Sequence, residues 1–377
     1  MTLPATSIKR IVLACSGDLT TSVAIPWLAA RHDAEMVTVT VDVGQREALD
    51  DVRARALAAG AVRAHVIDAR EEFAAAFLLP ALQSGALDED RPTISAALGR
   101  LIVAKHLVAT AALEQAAVVA HGAADAETCD LLARIIRSLN PRLRVLAPAR
   151  DWRLTRAAQI AYATSRDIAV LEPVSRPVAF SSNLWGRSAW STGDVHTPLP
   201  AAAMPARARV PLAPAVAALR FERGVPVAVN DVDLPLVDLI GSLATIAGAH
   251  GVGQPAAVTR LPAGSRVFVD APAAAVLRAG YRDLRAAVLP ARKSRAVSDL
   301  AAEHARVIAG GGWFTPEREA LDEILSAVRN EMSGSVRLEL SHGTCRVTAC
   351  DAAPAGRAVA RSVVPRVFGD DPSPARA

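Results

Sequence analysis

Residues 11–22 read IVLACSGDLTTS (Ile11–Ser22), and this stretch decides the fold. Ile11 to Cys15 is an unbroken apolar run that stops at Ser16-Gly17, which predicts a buried parallel strand entering a turn. Leu19 to Arg31 then predicts a helix with Asp18 or Ser16 as its N-cap, and Pro26 either kinks it or marks a late start. A strand, a small-residue turn and a helix N-terminus together make an anion site. Backbone N–H groups can approach a phosphate there, hydroxyls donate to it, and the helix end adds partial positive charge. A plain capped turn has the same appearance and needs no ligand.

Outward from this turn, Met36 to Val41 predicts a second strand ending at Asp42-Val43-Gly44-Gln45. Ala48 to Ala59 is amphipathic and stopped by Gly60, and Ala64 to Ile67 makes a third strand. A helical region from Ile94 to Gln115 leads to the strand Ala117–Ala120, which ends at His121-Gly122, and Arg144 to Ala147 is a fifth strand. Strands alternating with helices predict βαβ units and a parallel sheet, an α/β nucleotide-binding domain over residues 8–191. Ligands of such sheets bind beyond the carboxyl ends of the strands. The tips Ser16-Gly17, Asp42–Gly44 and His121-Gly122 are therefore expected to share one crevice.

Residues 192–214, rich in Pro and Ala without a period, read as a linker. Strand pairs and separate helices follow at Leu219–Glu222, Val225–Val229, Leu234–Ala249, Arg266–Val269, Pro316–Arg329, Val336–Leu340 and Cys345–Ala349. These make 215–352 a smaller α+β domain and leave 353–377 as a mobile tail.

The chain has 377 residues, 51% apolar and 21% charged, a globular balance with room for two domains. A net charge of +4 is a small excess, spread without the aromatic interleaving of a nucleic-acid surface, so no nucleic-acid partner is expected. Cys15, Cys129, Cys345 and Cys350 form no CxxC pair, which suits a reducing cytoplasm. The N-terminal apolar run is too short for a signal peptide. Leu101 to Val119 carries Lys105, His106 and Glu114, so it reads as a core helix and no membrane association is expected.

ACSGDLTTS (residues 14–22) resembles the SGGLDTS loop of the argininosuccinate synthase family, that family's form of the ATP-pyrophosphatase loop. Family-like segments then follow in order: DVGQ (Asp42–Gln45), DAREEF (Asp68–Phe73), LWGRS (Leu184–Ser188), FERGVPVAVN (Phe221–Asn230), GAHGVGQ (Gly248–Gln254), WFTPEREALD (Trp313–Asp322) and SGSVRLEL (Ser333–Leu340). The resemblance is collinear over roughly residues 8 to 348. It implies an AMP-forming ligase: ATP adenylates the ureido oxygen of citrulline, and the amine of aspartate displaces AMP. The protein's part is then mostly positioning and charge stabilisation. The resemblance also implies nucleotide contacts at Ala14, Ser16, Gly17, Thr21, Ser22, Val41 and Gly122, and substrate contacts at Ser188 and Asp270. Ser16, Arg100 and Asp18 are the candidates for a catalytic part. Mg²⁺ would arrive on ATP rather than on protein ligands. The family is tetrameric, so a homo-oligomer is compatible with the resemblance.

Several positions depart from the pattern. Asp18 stands where the family has glycine, and Thr20 where it has aspartate. A carboxylate about 4 Å from a phosphate costs about 1 kcal/mol in water and about 4 at an effective dielectric near 20. Asp18 must point away, bind Mg²⁺, impair ATP binding, or serve only as an N-cap. The citrulline loop YxxGTSLAR reads PTISAALGR here (Pro92–Arg100), keeping only Arg100. The loop HGxTGKGNDQVRF reads HGAADAETCDLLAR from His121, so Ala124, Glu127 to Cys129, and Leu131 or Leu132 occupy positions that hold aspartate and citrulline. Ala179 replaces a citrulline-binding serine, and in GSRVFVD Val269 replaces Tyr and Asp270 replaces Glu. His121 touches a nucleotide or is a turn residue; Trp185 and Trp313 read as core anchors. Three outcomes fit: a ligase with altered, less charged and amino-acid-like substrates, an authentic argininosuccinate synthase, or a non-catalytic nucleotide-binding relative.

Overall fold

A computed structural model describes residues 8–45, 48–87, 92–152, 155–169, 178–191, 210–254, 259–260, 266–352 and 359–361. The chain begins with β1 (Arg10–Ala14), α1 (Leu19–His32), β2 (Glu35–Asp42), α2 (Leu49–Ala58) and β3 (Arg63–Asp68). A continuous helical run follows, made of α3 (Arg70–Phe73), a π-helical turn (Ala74–Leu78) and α4 (Leu79–Ser84). Next come α5 (Pro92–Leu113), β4 (Val118–Ala120), α6 (Ala126–Leu139), β5 (Arg144–Leu146), α7 (Pro148–Asp151) and α8 (Arg156–Thr164). The strands β6 (Val178–Asn183), β7 (Gly186–Ser191), β8 (Ala215–Glu222), β9 (Val225–Val229) and β10 (Val232–Asp233) precede α9 (Leu236–Ala249). Then β11 (Thr259–Arg260), β12 (Arg266–Asp270), α10 (Pro272–Val288), α11 (Ala291–Ala309) and α12 (Pro316–Glu331) lead to β13 (Gly334–Ser341), β14 (Thr344–Ala352) and β15 (Val359–Arg361).

These elements form two compact units. The first draws on Met1–Arg70, Ala97–Arg176 and the distant segment Gly310–Thr315. Its sheet has the order β3-β2-β1-β4-β5, with every pairing parallel. β1 is central, and Ile11, Val12 and Leu13 are fully buried because helices cover both faces of such a sheet. That is the physical reason the run is apolar without alternation. Since the strands are parallel, Ser16-Gly17, the turn after Asp42 and His121-Gly122 emerge on one edge, as expected from the sequence.

Two readings of this unit change. α1 starts at Leu19 and continues through Pro26 without a late start. The stretch Pro92–Arg100, which resembles a substrate loop, forms the opening turns of α5, within the helical region expected from Ile94 onward. Most of the stretch after Gly122 is also helix: α6 buries Cys129, Leu131, Leu132, Ile135 and Ile136, a spacing that lines one helix face. Residues Ile94–Leu113 are long and apolar enough to cross a membrane by length and composition, but half of that window is buried within the protein.

The second unit holds two antiparallel sheets, ordered β10-β9-β8-β13-β14-β15 and β11-β12-β7-β6. Val336, Leu338 and Leu340 alternate inward along β13, and α9 and α10 pack on the larger sheet. Phe221 and Tyr281 meet edge to face there at 5.9 Å. An α/β unit built on a parallel sheet and a unit with antiparallel sheets are the expected fold class. The helices α10 and α11 are unanticipated in the sequence; α10 is largely buried, with Val276, Leu277, Tyr281 and Leu284 inside, and α11 is an amphipathic helix with an exposed face. Val359–Arg361 pairs with β14 and extends its sheet beyond residue 352. The linker reading at 192–209 and the tail reading at 353–358 and 362–377 lie outside the described residues.

Candidate functional site

The chain leaves the sheet at Cys15, whose N–H donates to Val39 O at 2.9 Å and whose carbonyl accepts from Thr40 Oγ1 at 2.8 Å. Gly17 turns it with φ of +76°, a left-handed conformation that glycine adopts without strain. A Cβ there would stand 2.9 Å from Val52 Cγ2 and 3.1 Å from Arg55 Nη2, so α2 lies directly against the loop. Asp18, in extended conformation, is the N-cap of α1. Its Oδ1 accepts from both the N–H and the hydroxyl of Thr21, each at 2.7 Å. Of the residues expected to face a nucleotide, Ser16 is exposed, Thr21 and Ser22 are buried, and Ala14 is half-buried. Ser16 Oγ lies 3.4 Å from Thr21 Oγ1, and Thr20 Oγ1 donates to Gln159 Oε1 at 3.2 Å. Asp18 therefore acts as a helix cap, and it takes the Thr21 donors that the anion reading assigned to a phosphate.

The other two strand tips complete the edge. Val41 is buried, and its carbonyl accepts from Gln45 Nε2 at 2.8 Å. Gly44 N donates to Asp42 Oδ1, also at 2.8 Å, so the DVGQ turn satisfies its own polar groups. Gly122 has no room for a side chain: a Cβ would come within 2.6 Å of Thr21 Cγ2. The neighbouring His121 is 3% exposed, and neither ring nitrogen has a hydrogen-bond partner among the described residues. Burial, and after it the charge of Arg150, lowers its pKa to about 4, so the imidazole is neutral.

Arg100, on α5, is half-buried. Burial lowers its pKa, while the charges of Asp125 and Glu127 act in the opposite direction. Asp125 caps α6, its Oδ1 accepting from Thr128 N at 2.7 Å. Cys129 Sγ donates to Ala123 O at 3.3 Å. Leu131 and Leu132 are buried against the unit's interior, where a Cβ on Gly311 would meet Leu131 Cδ1 at 2.8 Å. Arg134 Nη1 donates to Gly310 O at 2.8 Å, holding the returning segment that carries the buried Trp313. Ala14, Ser16, Gly17, Asp18, Thr21, Ser22, Val41, Arg100 and Gly122 thus all belong to the first unit.

Ser188 and Asp270 belong to the second unit, both buried, on the paired strands β7 and β12. Ser188 lies opposite Val269, and Asp270 opposite Arg187. Nearby, Asn183 Nδ2 donates to Ser95 O at 3.2 Å, its Oδ1 accepts from Trp185 N at 2.9 Å, and Trp185 is buried. Arg55 and Gln159, which touch the loop from α2 and α8, carry no sequence signal. They stand in ordinary amphipathic helices, and only the packing brings them to residues 17 and 20. Among the described residues no group of three or more His, Cys, Asp or Glu side chains could hold a metal ion.

Two family models match this chain. The "Arginosuccinate synthase N-terminal HUP domain" covers residues 10–169, and the "Arginosuccinate synthase C-terminal domain" covers residues 183–355. The chain is 39% identical over 348 residues to the argininosuccinate synthase of Symbiobacterium thermophilum, covering 89% of this chain and 86% of that one. It is 38% identical over 346 residues to that of Bacillus licheniformis, covering 89% and 85%. With that of Oceanobacillus iheyensis it shares 35% identity over 348 residues, covering 90% and 83%.

Proposed function

Because the chain belongs to the argininosuccinate synthase family of ATP-dependent ligases, we propose that it is an AMP-forming C–N ligase whose substrates differ from citrulline and aspartate. ATP would adenylate an oxygen of a ureido or carboxyl substrate, and an amine would then displace AMP. The single observation that carries the altered-substrate reading is α6. Where the family pattern has polar residues for both amino acids, this chain has a helix with Cys129, Leu131 and Leu132 buried. Buried apolar side chains neither reach a substrate nor donate to a carboxylate.

The nucleotide would lie along the edge formed by Ala14, Ser16, Gly17, Thr21, Ser22, Val41 and Gly122, whose missing Cβ allows the two tips to touch. Mg²⁺ would be held by the triphosphate. Arg100 would offer its charge to the acceptor substrate; in the second unit, Ser188 and Asp270 are the candidates for a substrate contact. At the N-terminus of α6, Asp125 and Glu127 outnumber Arg100, which disfavours an anionic amine such as aspartate. A second reading, authentic argininosuccinate synthase, is favoured by the identity with relatives of that name.

Release of AMP and pyrophosphate by the purified protein, measured against a panel of amines and ureido or carboxylic acids, tests both. Each lost charge-assisted bond costs roughly 1.5–3 kcal/mol. Citrulline with aspartate should therefore be turned over poorly, and an arginine-requiring strain should not be rescued. Turnover near one per second with that pair (an order-of-magnitude mark for an ordinary enzyme), or robust rescue, would establish the second reading. No AMP release with any pair would point to a non-catalytic relative.

A further inference from the structure

The nucleotide loop has a cation behind it that its sequence does not announce. Arg55 lies in the last turn of α2. Helical side chains slant toward the helix N-terminus, and Nη2 reaches to 3.1 Å from the position a Gly17 Cβ would take. Both Nε and Nη2 are buried and make no hydrogen bond among the described residues. A guanidinium carries five donors and cannot shed its charge. Buried donors left unpaired are costly, and each such group in a native structure calls for an explanation. The nearby anion, Asp18, does not supply one: its Oδ1 accepts from Thr21, and among the described residues neither Nε nor Nη2 of Arg55 finds a hydrogen-bond partner. Gly17, whose vacant Cβ position lies 3.1 Å from Arg55 Nη2, has no side chain to offer. The position therefore pairs an unanswered positive charge with the backbone of an anion-binding turn.

We propose that Arg55 is a phosphate-binding residue of this loop, its unpaired Nε and Nη2 donors being completed by the triphosphate of bound ATP. The proposal rests on the nucleotide reading of the loop given above and deepens it. It also accounts for a feature that reading leaves open. Asp18 adds a negative charge beside the phosphates, and Arg55 restores the local balance without contacting Asp18. The Cys15 thiol senses both groups: burial chiefly raises its pKa, Asp18 raises it further and Arg55 lowers it.

The test compares the wild-type protein with Arg55→Met, which keeps the stem length and removes the charge, and with Arg55→Lys, which keeps the charge without the fork. Binding of ATP, pyrophosphate and adenosine is titrated calorimetrically at two salt concentrations, and thermal melting is followed without ligand. Arg55→Met should weaken ATP and pyrophosphate roughly tenfold or more, the scale of one charge-assisted contact. It should leave adenosine unchanged, flatten the salt dependence of ATP binding, and leave the free protein melting no lower than wild type. Arg55→Lys should recover part of the loss. A merely structural Arg55 would instead lower the melting temperature and weaken all ligands together, which would overturn the proposal. Equal ATP affinity in wild type and Arg55→Met would overturn it while keeping the nucleotide reading. If the wild-type protein binds neither ATP nor pyrophosphate, the nucleotide reading itself fails and the proposal with it.

Discussion

Gly122 and Thr21 touch without space for one more carbon: a Cβ on Gly122 would lie 2.6 Å from Thr21 Cγ2. This contact joins the tip of β4 to the first turn of α1, so the backbone beyond His121 and the capped loop are one rigid edge. Gly122→Ala should therefore destabilise by about 1–3 kcal/mol, the usual cost of overpacking, and weaken ATP binding. Thr21→Ser removes the obstructing methyl and keeps the hydroxyl bonded to Asp18. The double variant Gly122→Ala/Thr21→Ser should thus recover most of the loss. Urea unfolding of the four proteins in the cycle measures the coupling, and additive effects would mean the two residues do not meet.

Asp18 separates into a cap and a charge. Asp18→Asn keeps an oxygen for Thr21 N and removes the negative charge, so stability should hold while ATP affinity rises about fivefold, the worth of roughly 1 kcal/mol of like-charge repulsion in water. Asp18→Gly should cost a few tenths of a kcal/mol as a cap and show the same rise. Titration with and without Mg²⁺ reads both; weaker binding in Asp18→Asn would show that the carboxylate helps hold the metal.

Glu114, 3% exposed, receives His65 Nε2 at 2.8 Å, Arg63 Nη1 at 3.2 Å and Arg10 Nη1 at 3.3 Å. Removing the shared partner strands two guanidinium groups and an imidazole, so Glu114→Ala should cost about 3–5 kcal/mol. Arg63 is more than half exposed, and Arg63→Ala should cost under about 1 kcal/mol. Chemical denaturation of the two variants compares them directly; equal costs would contradict this account of the cluster.

Acid should weaken the fold through two buried imidazoles. Burial first of all lowers the pKa of His121 and of His304 from 6.5 to about 4. Asp322 opposes the shift at His304, while Arg318 and Arg329 add to it. Between these values the unfolded chain binds protons that the folded one refuses, so stability rises with pH across that window. The contribution is complete above about pH 6.5 and is lost as pH falls toward 4, on the order of a few kcal/mol in all. His121→Gln combined with His304→Gln should flatten the melting temperature between pH 6.5 and 4 relative to wild type. An unchanged slope would place the acid sensitivity elsewhere.

The charge at the start of α6 should set the choice of amine. Asp125→Asn keeps the cap on Thr128 N, and Glu127→Gln removes the second carboxylate beside Arg100. Together they should lower the KM for aspartate relative to a neutral or cationic amine in the AMP-release assay, with little change in melting temperature. A parallel change for all amines would mean these residues act on folding rather than selection.

Much of the first unit was legible because parallel strands covered on both faces must be apolar throughout. Ile11–Cys15 and Met36–Val41 could therefore be placed, and the edge where they end followed from their direction. The helix from Ile94 was legible in the same way, whereas residues 123–135 were read through the substrate loop they resemble, although the apolar spacing of Cys129, Leu132, Ile135 and Ile136 already had a helical period.

The sequence by itself determined the family, the parallel sheet with its Ser16–Ser22 turn, and the α+β character of the second domain, since these rest on local periodicity and on segments kept in order along the chain. Only the tertiary structure decided what the turn's side chains do. It gives the Asp18 carboxylate to Thr21, seats Gly122 against that same threonine, and brings Arg55 unpaired beneath Gly17. Hydrogen bonds and charges act over a few ångströms of space, and residues 17, 55 and 122 become neighbours only when the β1, β2 and β4 crossovers return the chain to one edge.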